Sequence, residues 1–290
     1  MARIDIDGIG IGYDLIGDAG APAAVITPGG RYPRDTPGVP QLAGALAAAG
    51  RRVLLWDRPG CGDSDISFAG PSESASHVDV LVKLLRALDL GPVAMLGGSA
   101  GSRISLLAAS QAPELVSHLV IWWISGGPIS LAQLAAYYCG DNAMAAARGG
   151  MEAVAALPGW ADQIARNPRN RDIILAQEPE AFIAKMQQWA AAYAYSETSP
   201  VPGMAARDFA RLTMPVWVFR SGRSDMSHTR RTSEWVHDCI PHSKLVEPPW
   251  PDQEWNSVSL IPNEPGRGRF ERWPLLAPQL ADYIGASVSA

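Results

Sequence analysis

A nucleophile that must stand clear of its own backbone needs small neighbours, and the run Gly97-Gly98-Ser99-Ala100-Gly101 supplies them. It lies between an apolar run at 92–96 and a helical stretch at 103–110. A serine on such a strand-to-helix turn carries its hydroxyl above the edge of a sheet. There the N-terminus of the next helix stabilises developing negative charge. The bland alternative is a glycine-rich connection with a bystander serine. Attack by serine also needs a base, usually histidine. The histidines are His77, His118, His228, His237 and His242, so none follows position 242 in a chain of 290 residues.

The elements that must position this turn can be read from pattern. Residues 4–16 read as a hairpin turning at Asp7-Gly8. Residues 23–27 are a buried strand running into Pro28-Gly29-Gly30, and 41–49 an Ala/Leu helix closed by Gly50. A strand at 52–56 leads into the turn from Asp57 to Asp65. An amphipathic helix at 74–88 and strands at 92–96 and 119–124 follow. This alternation predicts a doubly wound α/β fold with a mostly parallel sheet of about eight strands. From 128 to 205 the pattern turns helical and rich in Ala, Met and aromatics, broken at Gly140, Gly149-Gly150, Pro158-Gly159 and Pro168. That stretch reads as a helical lid inserted into a core formed by 1–127 and 206–290. The core resumes with a strand at 215–220, a helix at 227–239 and a strand at 244–247. An irregular Pro-rich stretch at 248–272 and a helix at 275–284 close it.

With these elements in place, nearly the whole chain resembles the α/β-hydrolase fold family. Pro28-Gly29-Gly30 matches the family's oxyanion loop, with Pro-Gly where His-Gly is frequent. Asp57 through Ser64 matches its Asp-x-x-Gly-x-Gly-x-Ser turn. The resemblance implies Ser99 as nucleophile and the N–H groups of Gly30 and Ala100 as an oxyanion hole. It also implies an acid after the post-lid strand, where Ser221-Gly222-Arg223-Ser224-Asp225 fits; Asp225 could instead cap the helix that follows. The family's histidine after the last strand is missing. Gln253 or a neighbour falls in that slot, and glutamine cannot accept a proton near neutral pH.

His118 and His242 precede strands and belong at the far edge of the sheet. His237 lies late in a helix, roughly 15 Å or more from Asp225 at ~1.5 Å per residue. His77, at a helix start, could approach the pocket rim, but a solvated helix start is the simpler reading. His228, three residues after Asp225, is at the correct edge, although a first-turn histidine can also be merely exposed. Three readings stay open. His228 replaces the missing base; or Asp252 or Glu254 supplies a carboxylate for lyase, cyclase or isomerase chemistry; or the protein binds a ligand without turnover.

Trp122, Trp123, Tyr137 and Trp189 are candidate pocket walls, which would suit a small hydrophobic substrate, although helical spacing makes packing the simpler explanation. Arg103 reads as a structural ion-pair residue rather than one that holds a substrate carboxylate, and Asp63 and Asp65 read as solvated turn positions. No phosphate loop, dinucleotide fingerprint or metal-ligand cluster appears, so no cofactor or metal is expected. Lys and Arg number 24 against 29 Asp and Glu, a net charge of −5 without basic runs, which argues against nucleic acid. Nothing approaches the ~18 uninterrupted apolar residues of a membrane span, and the N-terminus lacks an apolar signal core. Cys61, Cys139 and Cys239 are scattered, which suits a reducing, cytoplasmic setting. An exposed lid would serve equally as a dimer face, so a homodimer stays open.

Overall fold

In the computed structural model, which describes residues 2–256 and 268–285, eight strands form one sheet. They are β1 (Ala2–Ile6), β2 (Ile9–Ile16), β3 (Ala23–Thr27), β4 (Arg52–Trp56), β5 (Val93–Gly98), β6 (Val116–Trp122), β7 (Val216–Phe219) and β8 (Lys244–Val246). Their spatial order is β1-β2-β4-β3-β5-β6-β7-β8. The hairpin β1–β2 is antiparallel and joins β4 antiparallel, and all later pairings are parallel. β3 and β5 are buried at every position, because helices cover both faces of a parallel sheet and leave no solvated side.

The two-residue alternation of each strand feeds two apolar layers. Val25, Leu54, Met95 and Ile121 face a layer completed by α2 (Glu73–Ala87) and α3 (Ala100–Gln111). Ile26, Val53, Leu55 and Val120 face the opposite layer, completed by α1 (Val39–Ala48) and a final helix beginning at Ala277. The strand and helix pattern matches expectation, with shifted ends. The elbow helix starts at Ala100 rather than 103, directly behind Ser99. The helix expected from 227 starts only at Arg230, because Thr229 caps it through its own side chain. His118 lies within β6, edge-on to Tyr283, rather than before the strand.

Between β6 and β7 lies the helical insertion. It comprises α4 (Pro128–Ala135), a π turn (Ala136–Gly140), α5 (Asp141–Ala155), α6 (Pro158–Arg166), α7 (Arg169–Leu175) and α8 (Pro179–Ala191). Two of the supposed breakers start helices: Pro158 opens α6 and Pro168 caps α7. Gly149 and Gly150 do kink α5. The insertion has its own buried cluster, including Phe182, Met186 and Trp189.

The insertion is tied to the sheet through the turn after β4. Asn170 accepts from Ile66 N–H at 2.8 Å, and Asn167 donates to Asp65 at 2.9 Å. Asp63 and Asp65 are therefore not solvated positions. Asp65 is buried and also accepts from Gly10 N–H at 2.8 Å, while Asp63 pairs with Arg34 and Arg166. In the same turn Asp57 is buried against Arg34.

His77 is likewise buried rather than solvated, with Nε2 3.1 Å from the Pro59 carbonyl. Burial pushes its ring down to about 4, so the folded protein holds it neutral. The unfolded chain takes up that proton near pH 6.5. His77 therefore contributes fully above pH 6.5 and loses its contribution as pH falls toward 4. His77→Gln should show a shallower loss of denaturation free energy between pH 6.5 and 4 than the parent, by on the order of 1–3 kcal/mol. Parallel pH profiles would contradict this. At the elbow, a Cβ on Gly101 would sit 1.9 Å from the Thr27 carbonyl oxygen. Gly101→Ala should cost about 1–3 kcal/mol or more in urea unfolding; an unchanged midpoint would show that the crossing has slack.

Candidate active site

The site is built where β5 ends. Ser99 sits at φ 57, ψ −123, a conformation an L-residue holds only under constraint. The constraint is crowding. A Cβ on Gly97 would meet the Gly101 carbonyl at 2.4 Å, and one on Gly98 would meet the Trp122 indole nitrogen at 2.3 Å. Ser99 N–H donates to the Trp122 carbonyl at 3.1 Å, which holds the turn to the next strand. The loop after β3 closes from the other side, so that a Cβ on Gly29 would lie 2.5 Å from the Ser99 Cβ. Its carbonyls point away, since Arg58 Nη2 donates to Gly29 O at 3.1 Å and to Tyr32 O at 3.3 Å. Gly30, at φ 50, faces the cavity beside Ser99, and Ala100 N–H opens α3. The first N–H groups of a helix have no intrahelical partner.

The acid and base candidates come from the loop between β7 and α9 (Arg230–Asp238). Ser99 Oγ lies 2.9 Å from His228 Nε2, and His228 Nδ1 lies 3.1 Å from Asp225 Oδ2. The other Asp225 oxygen accepts from the backbone N–H of His228 at 2.8 Å and of Ser227 at 2.9 Å. One carboxylate thus closes its own turn and orients the ring. Asp225 does not cap α9; Thr229 does. A carboxylate at Nδ1 selects the tautomer that leaves the Nε2 lone pair facing the serine hydroxyl. His228 is buried and anchored by a bridge to Gly126. Its ring packs edge-on to Trp255 at 4.3 Å and lies over Trp123 at 6.1 Å.

The remaining candidates lie elsewhere. Gln253 is exposed. Asp252 pairs with Arg230 at 2.8 Å and buried Glu254 with Arg272 at 3.0 Å, so neither is a free carboxylate for the serine. His237 meets Ser243, and His242 meets the Met214 carbonyl. Cys61 and Cys139 are buried, which pushes their thiols up to about 11 and about 12, so neither competes as a nucleophile. No cluster of three or more His, Cys, Asp or Glu suited to a metal occurs among the described residues, and none of their helices is long and apolar enough to cross a membrane.

A cavity of about 560 Å³ opens over Ser99 and His228, roofed by α4, the π turn and α6. Of the four aromatic residues expected in its wall, Tyr137 lines it. Trp122 is buried edge-on to Trp273 at 4.8 Å, and Trp189 is buried in the insertion with its indole N–H on the Gly70 carbonyl. Trp123 lies behind His228 rather than in the cavity. All three answer to packing. Sequence reading missed Trp255, Arg31, Arg269 and Phe270, which line the cavity instead; nothing in their local pattern separates them from core or surface. Arg103 makes no ion pair among the described residues. It donates to the Ala192 carbonyl at 3.3 Å and lies over the Tyr193 ring at 4.6 Å.

A family model for the alpha/beta hydrolase fold matches residues 29–135. A 2-hydroxy-6-oxononadienedioate/2-hydroxy-6-oxononatrienedioate hydrolase of Escherichia coli K12 is 35% identical over 86 residues, 30% of either chain. The matched segment therefore spans under a third of that relative. Among solved structures, the enol-lactonase from Burkholderia xenovorans LB400 is 17% identical at TM-score 0.59, covering 98% of this chain and 100% of its own. A hydrolase from Pseudomonas aeruginosa PA01 is 21% identical at 0.62, covering 98% of each. The thioesterase domain from the curacin biosynthetic pathway is 15% identical at 0.59, again covering 98% of each. With the strand order and the elbow, these likenesses give the chain the α/β-hydrolase fold.

Proposed function

We propose that the protein is a hydrolase in which Ser99, His228 and Asp225 act as nucleophile, base and acid. The observation that carries this reading is the 2.9 Å contact between Ser99 Oγ and His228 Nε2, backed by Asp225 at Nδ1. The triad is atypical in that acid and base share one loop.

Ser99 Oγ attacks the substrate carbonyl carbon while its proton passes to His228 Nε2. The carbonyl electron pair moves onto oxygen, which the N–H groups of Gly30 and Ala100 receive. Collapse of the tetrahedral adduct expels the leaving group, and His228 returns the proton to it. Water then attacks the acyl-serine with His228 again as base, releasing the acid and restoring Ser99. Asp225 holds the ring and stabilises its transient positive charge. The helical insertion acts as a lid over the cavity and excludes bulk water.

The substrate class that fits is a small, largely apolar ester, lactone, thioester or activated C–C bond. Support comes from the Leu134, Tyr137, Tyr138 and Phe270 walls. It comes as well from the enol-lactonase, thioesterase and oxononadienedioate hydrolase among the similar proteins. No cofactor enters the mechanism.

Hydrolysis of short p-nitrophenyl esters by purified variants tests the assignment. Ser99→Ala and His228→Gln should each lower kcat by about 10³-fold or more, and Asp225→Asn by roughly 10²–10⁴-fold, with the fold intact by circular dichroism. A His228→Gln variant as fast as the parent would remove histidine from the mechanism.

A further inference from the structure

The helical insertion starts against the loop that carries Asp225 and His228. Leaving β6, the chain pairs with that loop before it enters α4, through a one-residue parallel bridge between Gly126 and His228. The approach is close, since a Cβ on Gly126 would lie 2.5 Å from the Thr232 side chain. In the first turn of α4, Ser130 Oγ then donates to the Ser227 carbonyl at 2.6 Å.

Ser130 is 3% exposed. A buried hydroxyl needs a partner, and a serine within a helix can find one on a carbonyl of its own preceding turn. Ser130 instead reaches a carbonyl 97 residues along the chain. Serine is a poorer helix former than alanine, so what it adds at this position is the contact.

The bond matters because of the peptide it grips. The unit joining Ser227 to His228 gives its N–H to Asp225 Oδ1 at 2.8 Å and receives Ser130 on its carbonyl. The same carboxylate faces His228 Nδ1 through Oδ2 at 3.1 Å, and His228 Nε2 lies 2.9 Å from Ser99 Oγ. Rotation of that one peptide plane would break the Asp225 turn or the bond to α4, and would swing the imbedded imidazole relative to Ser99.

We propose that Ser130 is a positioning residue for His228. Its hydroxyl fixes the 227–228 peptide plane and so ties the direction of the imidazole to the seating of α4 over the cavity. The effect on rate rests on the hydrolase reading; the tie between α4 and the ring does not. Ser130 and Ser227 also line the cavity, so direct contact of Ser130 with substrate is the competing role.

Ser130→Ala and Ser130→Thr, the second of which keeps the donor, separate these roles. With p-nitrophenyl butyrate, Ser130→Ala should lower kcat about tenfold or more while KM changes less than about threefold. Ser130→Thr should recover most of that loss. A hydroxyl that only touches substrate would raise KM and leave kcat. The second readout needs no substrate: the proton resonance of the His228 ring N–H held by Asp225, assigned by its loss in His228→Gln. It should shift or broaden in Ser130→Ala and return in Ser130→Thr. An unchanged kcat in Ser130→Ala, a loss carried by KM alone, or a His228 resonance identical to the parent's overturns the proposal. Failure of Ser130→Thr to recover either readout does the same. If the parent turns over no ester, yet the resonance moves in Ser130→Ala and returns in Ser130→Thr, the hydrolase reading fails and the tie between α4 and His228 stands.

Discussion

A carboxylate and an imidazole three residues apart meet only if the chain between them folds back on itself. Asp225 makes that turn with one oxygen, accepting from the N–H groups of Ser227 and His228, and orients the imidazole with the other. The ring then has little freedom left, since Trp255 meets its plane edge-on and Trp123 lies over its face. The proposed role of Ser99 depends on this turn, because no histidine follows β8 in the sequence and Asp252 and Glu254 are each held by an arginine. The acid and base candidates, Asp225 and His228, thus lie within four consecutive residues instead of on two distant loops.

The serine side shows the complementary constraint. Ser99 is held in a left-handed conformation because β5, α3 and the loop after β3 approach one another with no room for side chains at Gly29, Gly97, Gly98 and Gly101. Strain stored in the turn is repaid by packing around it, notably Trp122 against Trp273. The polar turn from Asp57 to Asp65 then fastens the insertion over the site through Asn167 and Asn170. The sheet, Ser99 and the roof of the cavity are therefore mechanically linked.

Much of this was legible in sequence because it is local. The strand runs, the small residues around Ser99, and the three-residue spacing of Asp225 and His228 are short-range signals with direct physical meaning. The errors are long-range. Whether Trp122, Trp123 and Trp189 face a cavity or a core depends on which elements cross above them, and periodicity is silent on that. Asp65 and His77 read as solvated because their partners, Gly10 and Pro59, become neighbours only when β4 and α2 dock. Arg103 reads as an ion-pair residue, and instead the fold sets it on the Ala192 carbonyl and over the Tyr193 ring. Residues of the Pro-rich stretch at 248–272 fall partly outside the described residues, and its described part sets Trp255 edge-on to His228.

The central claim is that His228, oriented by Asp225, activates Ser99 as a nucleophile. Labelling with a fluorophosphonate, followed by peptide mapping, measures that activation without knowledge of the substrate. The account predicts one adduct per chain, on the peptide containing Ser99, formed at least 10²-fold more slowly in His228→Gln. Equal labelling rates in the two proteins, or an adduct on a different residue, would contradict it.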